Sequence, residues 1–296
     1  MSEENQDSSV VVERIKRRLH EQGKNALVLF VGDTGEGKSL SSIELAGEVD
    51  PSFFEAIREA KSSNVRIAHQ KGSHFMKILN TQKLRRGNAV VWDDVGKGLK
   101  KRDWYELVNK AIVDVLQTFR IYGLCVIFNC PDPRLIDSNA LALFHYWGEM
   151  LPIDFKRQLG RMKFFEIQIN RRSGKMYYHY PRVRKGGKVK TITRLYLKRP
   201  PLDIEKLYEK DKRKVTDKLL VDTEKIFKKI ESKEKFASLS DGEILNNILK
   251  DAESFLKTYN KRTCVDKYAI MARYRVGLPR ANKIKAMAER LLFKEK

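Results

Sequence analysis

The chain has 296 residues, with 60 lysines and arginines against 38 aspartates and glutamates, a formal charge of +22. An excess of that size points to a polyanionic partner, nucleic acid ahead of an anionic membrane, because a merely soluble lysine-rich surface carries glutamate in balance. The N-terminal MSEENQDSS is polar and acidic, so no secretory leader is expected. No run approaches the ~18 apolar residues needed to span a bilayer, so no membrane segment is expected either. Cys125, Cys130 and Cys264 have no metal-ligand spacing and read as reduced residues of a cytoplasmic protein. The five histidines form no zinc pattern.

In chain order, residues 1–9 read as disordered and Val10–Gly23 as a basic amphipathic helix ending at a glycine. Residues 26–154 alternate strand and helix signals, as an α/β sheet requires. Strands are expected over Ala26–Val31, Asn64–Ala68, Ala89–Trp92 and Leu124–Phe128. A helical stripe runs through Trp104, Leu107, Val108, Ala111, Ile112, Val115, Leu116 and Phe119. After Leu151 the strands Lys163–Ile169, Lys175–Val183 and Lys190–Leu197, joined by turns at 172–174 and 185–187, read as a small basic β-meander. Pro200-Pro201 punctuates the chain. Residues 203–235 are charged with sparse apolar positions and read as a linker or solvated helix. Ser240-Asp241-Gly242-Glu243 is a capping box for a helix over Ile244–Tyr259. Helices over Val265–Arg275 and Pro279–Phe293 follow. The expected domains are a tail and helix (1–24), a core with the meander (25–200), a linker (201–238) and an all-α module (239–296).

The chemistry concentrates at Gly32-Asp33-Thr34-Gly35-Glu36-Gly37-Lys38-Ser39, which reads G-x-x-x-x-G-K-S between an apolar strand and a helix carrying Leu40, Ile43 and Ala46. Strand, glycine-rich turn and helix start together make a Walker A loop. Backbone N–H groups from Gly32 to Leu40 cradle the phosphates of ATP at the positive end of a helix. Lys38 supplies a cation to the β- and γ-phosphates, and the Ser39 hydroxyl is placed to ligate Mg²⁺. Asp93 and Asp94 follow an apolar strand in the Walker B manner. Asp93 is assigned to the Mg²⁺ shell and Asp94 to the attacking water. Asn129, at the end of the next strand, is placed to sense the γ-phosphate or the water.

The run Leu116–Asn129 is similar to the FtsK–HerA superfamily of ATPases, including its zona occludens toxin-like branch. Arg120, Gly123, Asn129 and Pro131 fill that family's Arg-x-x-Gly turn, polar sensor and following proline, and Leu135-Ile136-Asp137 resembles its next segment. The resemblance covers residues 26–150. The family's glutamine sensor is Asn129 here and its Walker B glutamate is Asp94. The resemblance implies a hexameric, DNA-moving ATPase with an arginine finger acting in trans, for which Arg120, Arg134 and Arg161 are candidates. The toxin-like branch's membrane segment is missing, which argues against a membrane-bound filament-assembly role.

The last two helices resemble a helix-turn-helix. Ala269, Ala272 and Val276 face inward on the first, Gly277 makes the turn, and Ala281, Ile284, Ala288 and Leu291 face inward on the second. Arg280, Asn282, Lys283 and Lys285 then lie on a DNA-facing surface, with Arg182, Arg184 and Lys185 of the meander as further DNA contacts. A generic helical hairpin fits the same pattern. The expected fold is α/β, a P-loop NTPase with a RecA/ASCE-like central parallel sheet. The expected function is a DNA-dependent ATPase motor for a virus or mobile element. Its rivals are an ATP-switched, sequence-specific DNA-binding protein and a scaffold with a vestigial P-loop.

Overall fold

The structure, a computed structural model, describes residues 3–95, 122–136, 138–185, 187–259 and 262–293. The helical stripe expected over Trp104–Phe119, with Arg120 and Asp137, lies outside the described residues. The chain divides into two compact units, 1–216 and 217–296.

The first unit is built on five parallel strands. They are β1 (Ala26–Val31), β2 (Ile67–His69), β3 (Ala89–Asp93), β4 (Cys125–Cys130) and β5 (Tyr146–Asp154), in spatial order β2-β3-β4-β1-β5. Strands buried on both faces need continuous apolar sequence, and ALVLFV of β1 is buried at every position. Alternate side chains serve opposite faces. Ala26, Val28, Phe30, Val91 and Ile127 meet α1 (Glu3–His20), α2 (Lys38–Val49) and α3 (Ser52–Ala60) on one side. Leu27, Leu29, Trp92 and Phe128 meet α4 (Gly72–Thr81) and the short α5 (Ser138–Leu141) on the other, with Phe75 stacked on Trp92 at 4.6 Å. A lone strand inserted between β1 and β3 is the arrangement of P-loop NTPases with an extra central strand, and the first unit has this fold.

Three expectations are corrected here. Residues 3–9 belong to α1, whose Val11, Val12, Ile15 and Leu19 are buried in the sheet's core. The basic strands are not a separate meander. β6 (Leu159–Ile169) pairs antiparallel with β5, and β7 (Met176–His179) and β10 (Leu195–Lys198) both pair with β6, so they extend the central sheet. Only β8 (Arg182–Lys185) and β9 (Lys188–Thr191) form a separate two-stranded ribbon. Finally, the region after Pro201 is one helix, α6 (Leu202–Ser238), and its start is part of the core. Ile204 and Tyr208 are buried, and the Asp211 carboxylate accepts hydrogen bonds from Ser62 Oγ at 2.8 Å and the Ser63 N–H at 2.9 Å. The first unit therefore runs past residue 200 to Thr216.

The second unit contains α7 (Asp241–Lys250), a hairpin of β11 (Leu256–Tyr259) and β12 (Arg262–Val265), α8 (Lys267–Tyr274) and α9 (Leu278–Leu292). The Ser240–Glu243 capping box is formed, but α7 stops at Lys250 and the chain turns into the hairpin, which shortens the helix expected to reach Tyr259. Ile244, Ile248, Phe255, Val265, Ile270, Tyr274, Ala281, Ile284 and Ala288 make its core. Ala272 and Leu291, expected inside, are exposed, and Ile270 and Tyr274 take the inner face of α8. The turn between α8 and α9 is made by Arg275 in the left-handed region (φ 55°), while Gly277 has ordinary backbone at φ −69°.

Candidate functional site

All five parallel strands end on the same edge of the sheet, which brings the C-termini of β1, β3 and β4 together. In open α/β sheets that edge is where ligands bind. Gly32–Gly37 leave β1 and enter α2 there. Gly37 caps α2 in the left-handed region at φ 83°, a conformation that costs glycine little. Gly32 lies against Met150 of β5, where an added Cβ would fall 2.7 Å from the methionine Cβ. Glu36 braces the loop by accepting the Asp33 N–H at 2.6 Å. Thr34 and Gly35 are exposed at its crest. Lys38 is buried, and its Nζ donates to the carbonyls of Gly32 and Asp33, each at 2.6 Å, so its ammonium lies across the mouth of the loop.

Asp93 is the hub. Its Oδ1 accepts from Ser39 Oγ and from Asn129 Nδ2, both at 2.8 Å, and its Oδ2 accepts from Tyr208 OH at 2.6 Å and Lys212 Nζ at 2.8 Å. Burial would push this carboxyl up, but the Lys212 charge and the hydrogen bonds prevail and lower it to about 2. Asp93 is thus an anion at neutral pH. Burial and the neighbouring Asp93 carboxylate raise the Tyr208 phenol well above its ordinary range, so it stays a neutral donor. Burial works against the Lys212 ammonium, and the charges of Asp93 and Asp94 outweigh it and raise its pKa. Asp94, in the left-handed region at φ 52°, lies 3.1 Å from Lys212 Nζ. Asn129 also donates to Ser42 Oγ at 2.8 Å, which fixes its amide, and its buried Oδ1 makes no hydrogen bond among the described residues. Asn129 lies inside β4 rather than at its end.

The structure therefore brings Lys38, Ser39, Asp93, Asp94 and Asn129 to one place. Sequence reading missed Tyr208, Lys212 and His69. His69 ends β2 opposite Asp93, is buried with neither ring nitrogen hydrogen-bonded among the described residues, and its ring centroid lies 5.5 Å from that of Tyr208. Burial foremost lowers its pKa to about 4, so it is neutral. A signal for the other two was present. Ile204, Leu207, Tyr208, Asp211 and Lys212 recur at i, i+3, i+4, i+7 and i+8, one face of a helix whose last members are polar.

These groups fit a magnesium nucleotide. The loop's amides, Lys38 and the α2 N-terminus suit phosphates. Ser39 Oγ and the Asp93 carboxylate are oxygen donors that already accommodate a cation, the Lys212 ammonium. No cluster of three or more His, Cys, Asp or Glu able to hold a metal occurs among the described residues, so Mg²⁺ would take its remaining ligands from phosphate and water. Beside the loop, Gly37, Leu40, Ser41, Ile153, Phe155 and Leu159 line a recess of about 270 Å³. It is apolar and open, and it places Leu40 where a nucleoside could lie.

The residues expected to contact DNA are spread over both units. Arg182 and Arg184 are exposed on β8, with Lys185 in the same strand. On α9, Arg280 Nε and Lys283 Nζ are both bound to the Asp241 carboxylate, at 2.7 and 2.9 Å, and Lys285 lies 3.5 Å from Glu289. Asn282 is exposed. Of the arginine-finger candidates, Arg134 is paired with Asp132 at 2.6 Å and Arg161 donates to the Pro152 carbonyl at 2.8 Å. No helix among the described residues is long and apolar enough to cross a membrane.

No family model and no curated protein matches the chain. Among solved structures it is similar to the N-terminal domain of zonular occludens toxin from Neisseria meningitidis, at 16% identity over 53% of this chain and 94% of that chain, with a TM-score of 0.30. A likeness at that score carries no argument about the site. The P-loop fold rests on the strand order and the loop between β1 and α2.

Proposed function

We propose that the protein is a magnesium-dependent ATPase whose turnover is driven by DNA, a motor that translocates or packages DNA for a virus or mobile element. The observation that supports hydrolysis most directly is the convergence of Ser39 from α2 and Asn129 from β4 on the Asp93 carboxylate at the end of β3, with both hydrogen bonds at 2.8 Å. In this reading Lys38 and the loop amides bind the phosphates, and Ser39 and Asp93 orient the metal. When bound, the metal would supply charge neutralisation to the phosphates. Asp94 accepts a proton from the attacking water, and Asn129 holds the Asp93 carboxylate in place. A vestigial P-loop is disfavoured because each of these side chains is present and positioned.

DNA is supported by the +22 charge and by Arg182, Arg184 and Lys185 on the β8–β9 ribbon. A ring of six subunits with an arginine finger follows from the sequence resemblance alone. The second reading, a sequence-specific DNA-binding switch, is favoured by the second unit, where α8 and α9 pack with a hairpin around their own core. Random-sequence DNA separates the two. A motor's ATPase rate rises with any DNA and falls back steeply as salt increases. If random DNA leaves the rate unchanged while one sequence binds tightly at moderate salt, the motor reading is wrong.

A further inference from the structure

Lys212 takes up the protein oxygens that a P-loop metal requires. Its Nζ lies 2.8 Å from Asp93 Oδ2, 3.1 Å from Asp94 Oδ2 and 3.5 Å from Ser39 Oγ. Tyr208, one turn earlier on α6, lies 2.7 Å from the same Nζ and donates its own proton to Asp93. The ammonium is held there by more than its own contacts. Ile204 and Tyr208 are buried, Asp203 is paired with Arg58 at 2.6 Å, and Asp211 is bonded to Ser62 and Ser63, so α6 is fastened through the turns that lead up to Lys212.

We infer that Lys212 is a tethered cation seated in the metal position, so that the site refuses free divalent metal and accepts it only as a metal–nucleotide complex. This rests on the nucleotide-site reading above. Two cations drawn to the same few oxygens repel each other at short range. A free Mg²⁺ ion offers nothing to the displaced ammonium and keeps several of its waters. A metal arriving on a triphosphate brings its own oxygen ligands and gives Lys212 phosphate oxygens as new partners. Lys212 thus sets specificity for the complex over the free ion, and loading must shift its head group away from Asp93.

Mn²⁺ binding followed by electron paramagnetic resonance without nucleotide provides a test independent of turnover. Lys212→Met should bind Mn²⁺ at least about tenfold more tightly than the parent. Lys212→Arg, which keeps the charge, should bind it as weakly as the parent. Equal Mn²⁺ affinity in the parent and Lys212→Met overturns the inference. Should Lys212→Met fail to fold, the unaltered protein decides the matter. Mn²⁺ titrated into it and followed by electron paramagnetic resonance should bind at least about tenfold more tightly with a non-hydrolysable ATP analogue present than alone, and equal affinity with and without the analogue overturns the inference. Nucleotide binding measured on the same samples separates the two levels. A parent that binds no nucleotide removes the proposed function. A parent that binds it through Lys38, with Mn²⁺ affinity unmoved in Lys212→Met, removes only the role of Lys212.

Discussion

Ser39 donates its hydroxyl hydrogen to Oδ1 of Asp93 across 2.8 Å, although 54 residues of chain separate the two. That bond joins the first turn of α2 to the end of β3, the two parts that the proposed metal nucleotide would contact. The same carboxylate is reached from β4 by Asn129 and from α6 by Tyr208 and Lys212. Most of the site's behaviour should therefore be readable by altering one partner of Asp93 at a time.

Asp94→Asn should retain nucleotide binding and slow hydrolysis by on the order of 100-fold or more, the usual worth of a general base. Equilibrium binding of a fluorescent ATP analogue beside steady-state turnover checks it. An equal loss in both would move Asp94 into the metal shell.

Tyr208→Phe removes the hydrogen bond to the buried Asp93 carboxylate, together with the one accepted from Lys212, and leaves the ring in place. A bond to a charged acceptor is worth about 1.5–3 kcal/mol, so urea unfolding of the first unit should report a loss in that range. An unchanged midpoint would mean that the α6 contact contributes nothing to the core.

His145 gives the pH dependence a definite sign. Its Nδ1 accepts the Leu27 N–H at 3.1 Å, and burial foremost, with Arg18 and Lys24 nearby, lowers its pKa to about 3. The unfolded chain takes up this proton below about 6.5, while the folded chain does not until about pH 3. Between those values the unfolded state binds more protons, so stability is full above about 6.5 and is lost as the pH falls. The loss by pH 5 is about 2 kcal/mol. His145→Asn keeps an acceptor for Leu27 and cannot titrate, so its stability relative to the parent should improve by that order between pH 7 and pH 5. A constant difference would contradict the assignment.

The glycine-rich loop between β1 and α2 was legible because everything that forms it is local. An apolar strand, glycines at fixed offsets and a helix start fall within Ala26–Val49, and Asp93 follows its own apolar strand. Tyr208 and Lys212 were not legible in the same way. Their role depends on α6 docking beside Ser62 and Ser63, a contact between segments roughly 150 residues apart whose face is completed by polar groups rather than leucines. The placement of β6 and β10 in the main sheet was likewise hidden. Their alternation marks them as strands, and only long-range pairing with β5 decides which sheet they join. At Arg275 the turn sits two residues before the glycine that reads as its centre, because a left-handed arginine ends α8 first.

A fragment of residues 1–216 should fold and bind ATP, since it keeps Tyr208, Asp211 and Lys212, whereas one ending at residue 200 should be markedly less stable. The 1–216 fragment should also bind DNA more weakly than the full chain, because Arg280, Asn282, Lys283 and Lys285 leave with the second unit. Fluorescence anisotropy over a salt series checks this, the slope reporting how many phosphate contacts are lost. Unchanged affinity and slope would assign α9, where Arg280 and Lys283 are bound to Asp241, to protein contacts instead.

The most direct test of the account is ATP turnover by the parent and by Lys38→Ala, measured with Mg²⁺ and random-sequence DNA. Lys38 carries the ammonium lying across the loop mouth between the Gly32 and Asp33 carbonyls, and removing a preorganised charge from a phosphoryl-transfer site costs on the order of 100-fold or more. The account predicts DNA-stimulated hydrolysis by the parent and its collapse in a Lys38→Ala variant that still unfolds cooperatively. Hydrolysis by Lys38→Ala at the parental rate would contradict it.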